Sequence, residues 1–407
     1  MCRCLHVAMN TQQAIQNSLS FLKHHFQKYY ENATLHLPDR FGRREFAFVM
    51  FGGKGMIRHQ GFDKKQAIEQ YLTRQGPQHV YYSSAYYQYP DAPTMQEKEW
   101  MGAELIFDLD SDHLPNAEAL SYTDQLIKVK SEFKKLVEEF LVDDFGFQKK
   151  HLELYFSGGR GYHCHVKDPL VFDLDSNERR ELVDYITGRD LQDSVIFREE
   201  ITGRKSYGRQ SFPSSKRLKM PTPDQKGWKG RISRGILEII DEIRTSENPV
   251  QKLQEYGVKE KDAHILAAEL SDERMQRIRE GNLDQSKTIR KFFLNNVLRK
   301  TAVSLGAGET DEPVTCDVKR LIRLPNSLHG KTGFQVVRID IDKLDQFHPL
   351  DDALAFGDEQ ITIHCAEPYS IEMNHTHFSL NSGEQTVPLY LAIFLIGRRL
   401  ATVTEQS

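Results

Sequence analysis

Apolar residues at Ile15, Leu19, Leu22 and Phe26 recur at helical spacing and predict a helix over about 11–30. Beyond it the pattern tightens. Residues 44–51 read as a strand, 52–55 as a glycine-rich hairpin turn and 56–59 as the start of a return strand. Helical spacing returns over 64–74, and an aromatic, strand-like run follows over 80–87. The clearest pattern lies further on. Residues 104–110 form a strand in which Leu105, Phe107 and Leu109 take one face, while Asp108 and Asp110 take the other. Ser121 or Thr123 can cap a helix reaching about 143, with Leu126, Val129, Phe133, Leu136 and Phe140 as its buried stripe and Gly146 as its stop. A second strand, 152–156, then runs into a glycine turn. This strand–helix–strand order predicts a right-handed crossover onto one sheet.

From about 181 the texture changes, and 233–305 reads as helices. Ile236, Ile239, Ile240 and Ile243 give one amphipathic face, with further pieces near 260–280 and 286–304. Strand character returns over 335–341 and 360–364. A helix is expected over about 387–400, with Pro388 in its first turn. The expected class is α/β (α+β): a mixed-sheet catalytic domain over 1–180 and 306–407, interrupted over 181–305 by basic loops and a mainly helical insertion.

Composition narrows the class. A chain of 407 residues with 39% hydrophobic and 28% charged content is an ordinary water-exposed protein with a large core. Its net charge of −4 does not mark a nucleic-acid binder, so any such role must rest on a local surface. Cys2, Cys4, Cys164, Cys316 and Cys365 are odd in number and scattered. They suggest a reducing compartment, with neither a disulfide framework nor a spacing that would hold an iron–sulfur cluster. Cys2, Cys4 and His6 lack an evident fourth ligand for a metal. No apolar run approaches the ~20 residues of a membrane span. The opening ten residues lack a signal-peptide pattern, and Met9 is a candidate start.

The chemistry concentrates on the two strands. Asp108 and Asp110 stand roughly 7 Å apart at Cα, from two rises of a strand. Such a pair suits carboxylates that bridge divalent ions, and Mg²⁺ or Mn²⁺ would relieve their repulsion. A plain polar exit from the sheet would look the same. In Ser157-Gly158-Gly159-Arg160-Gly161-Tyr162-His163, the glycines permit a tight turn whose N–H groups can approach an anion. Ser157 and His163 add donors, and Arg160 adds a guanidinium fork suited to phosphate. A triphosphate cradle fits this arrangement.

Two other stretches are basic. Residues 203–235 carry ten Lys and Arg against Asp224 alone, with Tyr207, Phe212 and Trp228 interleaved. That suits either a sequence-independent grip on nucleic acid or a solvated loop. Arg323 and Ser327-Leu328-His329-Gly330-Lys331-Thr332-Gly333 form a basic turn ahead of the 335–341 strand. Its Gly-Lys-Thr lacks the spacing of a P-loop, which excludes that class of ATPase.

Taken in order, the D-x-D strand, the S-G-x-R-G-x-H turn, a late Asp and the S-L-H-G-K-T-G segment resemble the small, catalytic subunit of archaeal and eukaryotic DNA primase. The resemblance covers nearly the whole chain, and the wording is most like the archaeal form. It implies the primase catalytic fold and a template-directed nucleotidyltransferase that makes short primers. The implied third metal carboxylate is Asp311, with Asp317 its rival. Asp108, Asp110 and Asp311 would hold two Mg²⁺ or Mn²⁺ ions. Ser157, Arg160, His163, Arg323 and His329 would hold the triphosphate, with Arg58 and His59 as further candidates. Some relatives carry a second basic residue where Gly159 stands. Many carry a zinc knuckle after the D-x-D. Residues 111–150 contain no cysteine, so no structural zinc is expected.

The implied partners are a large primase subunit that carries its own iron–sulfur cluster, a single-stranded DNA template with its primer, and nucleoside triphosphates. The expected location is cytoplasmic and nucleoid-associated. A repair polymerase of the end-joining type, from the same superfamily, is the close rival. The intact S-L-H-G-K-T-G segment and the long insertion favour the primase. A non-catalytic nucleic-acid-binding subunit would have no use for carboxylates facing phosphates, and a metal-dependent nuclease would not need a triphosphate cradle.

Overall fold

The computed structural model describes residues 2–113, 117–208, 210–283, 292–296 and 314–404. The chain divides into two compact units. One takes in Met1–Val137, Phe147–Val183 and Ser304–Ser407, the other Glu138–Gly146 and Asp184–Val303.

The first unit opens with α1 (Cys2–Asn32), which extends beyond the periodic stretch at both ends and buries Leu22, Phe26 and Tyr30. Then come β1 (Phe46–Val49), β2 (Met56–Gln60), α2 (Lys65–Gln75) and β3 (His79–Ser83). A short hairpin joins β4 (Ala85–Tyr87) to β5 (Trp100–Ala103). The centre of the unit is β6 (Leu105–Asp110), α3 (Tyr122–Lys135), β7 (Leu152–Phe156) and β8 (Gly161–Val166). Ser121 caps α3, its side chain accepting the Asp124 N–H at 3.1 Å. The helix continues to Asp144, with its last part, Leu136–Asp144, wound as a π-helix. Phe133 of α3 stacks on Tyr162 of β8 at 5.2 Å, which seats the helix on the sheet.

α4 (Ser176–Thr187) leads into the second unit, which contains α5 (Asp193–Ile196), β9 (Arg198–Tyr207), β10 (Gln210–Lys219), α6 (Gly227–Thr245), α7 (Pro249–Glu255), α8 (Glu260–Glu269), α9 (Asp272–Arg279) and β11 (Asn282–Leu283). The predicted isoleucine face of α6 is buried. The segment expected as basic loops is different: β9 and β10 form a ten-residue antiparallel hairpin, and β11 adds to it. Trp228 and Arg231 are also not surface groups. Both are buried, and Arg231 pairs with Glu139 and Asp144 while its guanidinium lies 4.1 Å over Phe140. Of the predicted helix over 286–304, residues 292–296 are helical and the rest lie outside the described residues.

The chain returns to the first unit with β12 (Leu321–Arg323) and β13 (Val337–Ile339). It ends in β14 (Gln360–Cys365), β15 (Tyr369–Met373), β16 (Thr376–Leu380), β17 (Gly383–Pro388), α10 (Leu389–Gly397) and β18 (Ala401–Val403). Pro388 is the residue before α10 and not inside its first turn. Leu389 to Ile396 are all buried, so α10 is a core helix.

Two four-stranded sheets matter for the site. One has the order β12-β3-β1-β2, the other β13-β7-β8-β6. Helix and sheet are mixed as expected. β6 and β7 run parallel on either side of β8, so the strand–helix–strand unit does cross over onto one sheet, while each described ladder is antiparallel. β8 is buried along its full length because it has a neighbour on each edge and layers on both faces. The late segment feeds both sheets: β12 extends the first and β13 the second. The turn between them is thereby drawn across to the glycine turn that links β7 and β8.

Candidate active site

The β6–β8 register sets the first part of the site. Asp108 lies opposite His163, and Asp110 opposite Gly161. A Cβ at Gly161 would come within 2.4 Å of the Leu109 carbonyl, so only glycine allows the two strands to run this close to the carboxylates. His163 Nε2 lies 3.3 Å from Asp108 Oδ1, and His163 Nδ1 is buried without a hydrogen-bond partner. Burial opposes the Asp108 charge, but His163, Arg320 and Arg323 outweigh it and hold the carboxyl below its usual range. Asp110 goes the other way. Burial, and then the like charges of Asp112 and Asp108, push it up, although its Oδ1 accepts the Asp112 N–H at 3.1 Å. Carboxylates in such conflict fit a divalent cation, whose charge removes it. Among the described residues, no group of three or more His, Cys, Asp or Glu is placed to hold a metal. Asp311, the expected third carboxylate, lies outside the described residues. Its rival Asp317 is exposed and accepts the Lys319 N–H at 2.8 Å.

The glycine turn is the second part. Ser157 Oγ accepts the N–H groups of Gly159 and Gly161 at 3.2 and 3.3 Å, so it braces the turn and keeps its own proton to donate. Gly158 has φ 76, and a Cβ there would meet His329 Cβ at 2.8 Å. Thr332 Oγ1 donates to the Gly158 carbonyl at 2.5 Å and accepts the Phe334 N–H at 3.2 Å. It also lies 3.0 Å from His329 Nδ1. One hydroxyl thus fastens the turn at 329–334 to the turn at 157–161. From the other side, the Tyr122 hydroxyl donates to the Gly159 carbonyl at 2.7 Å.

Between these turns is a cavity of about 380 Å³ lined by Asp110, Asp112, Gly159, Arg160, Arg323, His329, Lys331, Thr332 and Arg398. Arg160 bonds Asp112 at 2.6 Å, at the more exposed side. Arg323 lies 5.0 Å over Tyr81 and donates to His79 Nδ1 at 2.8 Å. That nitrogen also accepts the Gly330 N–H at 3.2 Å, which fixes His79 as a neutral imidazole. Burial, then Arg323 and Lys331, lower its pKa to about 2. Burial and the surrounding cations also push His329 well below its ordinary value. Four permanent cations face two carboxylates here, an excess that calls for an anionic ligand.

The comparisons with known proteins agree. Residues 107–341 match the family model described as DNA primase small subunit. The chain is 39% identical, over 94% of its length and 97% of the relative's, to the DNA primase small subunit PriS of Methanococcoides burtonii. It is 40% identical to PriS of Methanosarcina acetivorans, over 95% and 97% of the two chains, and 38% identical to that of Picrophilus torridus, over 94% and 98%. The chain belongs to the DNA primase small subunit family. The resemblance seen in its motifs is therefore a family relation, and the chain is a primase catalytic subunit. No described helix is long and apolar enough to cross a membrane.

As a primase small subunit, the chain brings together most of the residues marked from sequence. Asp110, Arg160, Arg323 and His329 line one cavity, Asp108 and His163 pair beside it, and Ser157 braces its turn. Arg58 does not line it. Its Nε lies 2.9 Å from Glu45 Oε1, and the neighbouring His59 backbone N–H bonds the same oxygen at 3.0 Å. At Gly159 a Cβ would start 3.0 Å from His329 Nε2, so the missing side chain leaves room for the histidine. His79 and Arg398 were not legible. A histidine in an aromatic strand and an arginine after an apolar helix carry no motif.

Proposed function

We propose that the cavity beside Asp110 is the nucleotide site for primer synthesis on single-stranded DNA, and that Asp108, Asp110 and Asp311 hold two Mg²⁺ or Mn²⁺ ions. The supporting observation is the junction itself. A carboxylate pair that repels in the absence of cations adjoins a cavity with an excess of cations. The first suits metal ions, the second a triphosphate.

When bound, the metal ions supply activation of the attacking 3′-hydroxyl and charge stabilisation at the α-phosphate and departing pyrophosphate. The chain's own groups supply position. Arg160 and Arg323 offer guanidinium forks to phosphate oxygens. Ser157 offers a hydroxyl proton, and His329 offers Nε2 once it is protonated. His163 holds Asp108 in its ionised form. Phosphoryl and nucleotidyl transfer depend mainly on such positioning and electrostatics. The large primase subunit and single-stranded DNA are the partners this reading requires.

The test is synthesis on unprimed single-stranded DNA by the purified chain, alone and with the large subunit, with Mg²⁺ or Mn²⁺ and labelled NTPs or dNTPs. Asp108→Ala and Asp110→Asn should each cut product by roughly 10²–10³-fold or more, the several kcal/mol that metal charge stabilisation supplies. Asp110→Asn should fold at least as stably as the parent, because it removes a like-charge conflict. A folded variant with full activity refutes the site. Gap-bridging extension of an annealed primer, with no product on an unprimed template, would point to the end-joining polymerase instead.

A further inference from the structure

One wall of the cavity comes from a part of the chain with no family motif. Arg398 follows α10 and lies outside the 107–341 segment that matches the family model. It lines the same cavity as Arg160, Arg323 and Lys331. Its guanidinium lies 4.5 Å from the Tyr122 ring centroid and 5.3 Å from that of Phe394. Tyr122 is itself tied to the Gly159 carbonyl, so the arginine is mounted on the ring that anchors the glycine turn.

Its surroundings do not satisfy it. Arg398 Nε is buried without a hydrogen-bond partner, and among the described residues no carboxylate is in ion-pair range of its guanidinium. The other arginines that line the cavity are engaged, Arg160 with Asp112 and Arg323 with His79, whereas Arg320, whose Nε is likewise buried without a partner, acts on Asp108 from outside the lining. Stacking on Tyr122 and the position after a helix C-terminus both favour a cation here. Neither uses the guanidinium's N–H donors. A partly buried charge with unused donors is costly unless something else completes it. Four permanent cations against two carboxylates say that this something is an anion.

We propose that Arg398 is a third guanidinium for the phosphate tail of the nucleotide, acting with Arg160 and Arg323. This rests on the reading of the cavity as the nucleotide site. The contact is to phosphate oxygens and not to base or sugar, since the cavity that Arg398 lines holds three further permanent cations and the glycine turn at Gly159. Arg398 thus links the end of the chain to the substrate and makes α10 part of the active site.

The test titrates the purified full-length chain with a fluorescent nucleoside triphosphate, with a nucleoside monophosphate and inorganic tripolyphosphate as competitors. Arg398→Gln should weaken triphosphate and tripolyphosphate binding by about 10–100-fold, the worth of a charge-assisted bidentate contact. Monophosphate binding should change by less than about 2-fold. Arg398→Lys, which keeps a charged stem over Tyr122, should recover part of the loss, and it decides by the same ratio if the glutamine variant does not fold. Unchanged triphosphate binding in a folded variant, with the parent chain binding normally, overturns the role of Arg398 and leaves the nucleotide site standing. Equal losses for triphosphate and monophosphate overturn it too, because they mark a support for the turn. A parent chain that binds no triphosphate removes the nucleotide-site reading and this inference with it.

Discussion

Thr332→Val is the most informative single change at this site. The hydroxyl has one proton and three neighbours. The 2.5 Å contact assigns the proton to the Gly158 carbonyl, so Oγ1 accepts from the Phe334 N–H and from His329 Nδ1–H. Neutral His329 then presents the Nε2 lone pair toward Gly159 and the cavity. A lone pair repels a phosphate oxygen. Nucleotide binding must therefore protonate Nε2, with Nδ1–H still held by Thr332. Because empty His329 is held well below its ordinary value, affinity should fall by up to tenfold per pH unit from the acid side of pH 6.5 upward, for as long as the bound imidazole keeps its proton, with uptake of about one proton per nucleotide over that range. Valine keeps the shape and removes the hydroxyl. Three buried polar groups lose a partner, at roughly 1–3 kcal/mol each before relaxation. We expect a loss of about 3 kcal/mol in stability by urea unfolding. The imidazolium also loses the acceptor for its second N–H, and triphosphate affinity should drop a further ~10-fold or more. Titration calorimetry in two buffers of different ionisation enthalpy counts the protons. A valine variant within about 0.5 kcal/mol of the parent, with proton uptake and affinity unchanged, would refute this hydrogen-bond assignment.

Two further predictions concern stability. Arg44 and Glu104 form a fully buried ion pair that Tyr86 and His165 complete, and despite burial, Arg44 and His165 hold the Glu104 carboxyl far below its usual range. Glu104→Gln should cost about 3–5 kcal/mol by leaving the guanidinium without its counter-charge, and a loss below about 1 kcal/mol would show that the carbonyls of Asp39, Ser83 and Ser84 suffice. Acid should destabilise the fold well before carboxylates titrate. An unfolded histidine takes a proton near pH 6.5, whereas buried His79 stays neutral down to about pH 2. Between those values the unfolded state binds more protons, so stability falls as pH falls, by up to about 1.4 kcal/mol per pH unit for this imidazole. Urea midpoints between pH 7 and 5 measure the slope. His79→Asn keeps an acceptor for Arg323 and Gly330 and should lessen the slope by the share of this one imidazole, since His329 and His25 are also held below their ordinary values, while an identical slope in the variant would assign the effect elsewhere.

The fold was legible where one face of an element is buried and the other is not. The stripes of α1, α3 and α6 and the alternation in β6 show it, because hydrophobic periodicity records a two-sided environment. The β9–β10 hairpin has no such record. Its strands are polar on both faces, so composition suggested loops although the backbone pairs over ten residues. The chemistry followed the same rule. Asp108 and Asp110 share a face by strand geometry alone, and the glycines at 158 and 161 are demanded by close approaches that a local pattern already suggests. The engagement of Arg58 with Glu45 was not visible, since it depends on how β1 and β2 pair across a shifted register.

What sequence could not supply is the convergence of charge. Arg160 comes from the β7–β8 turn, Arg323 from β12, Lys331 from the turn before β13, and Arg398 from the end of α10. These positions are spread over more than half the chain, and no local pattern relates the last to the first. They meet because β12 and β13 belong to different sheets, which forces the intervening turn across the β7–β8 glycines. Thr332 and Tyr122 then pin that turn from two sides. The cations are thus placed by a backbone crossing, against a mutual repulsion that would otherwise separate them. On the proposed reading of the cavity, a triphosphate would relieve their mutual repulsion on entering. A chain arranged this way should bind polyphosphate better than any monoanion, and the same cations add to burial in holding His79 and His329 neutral.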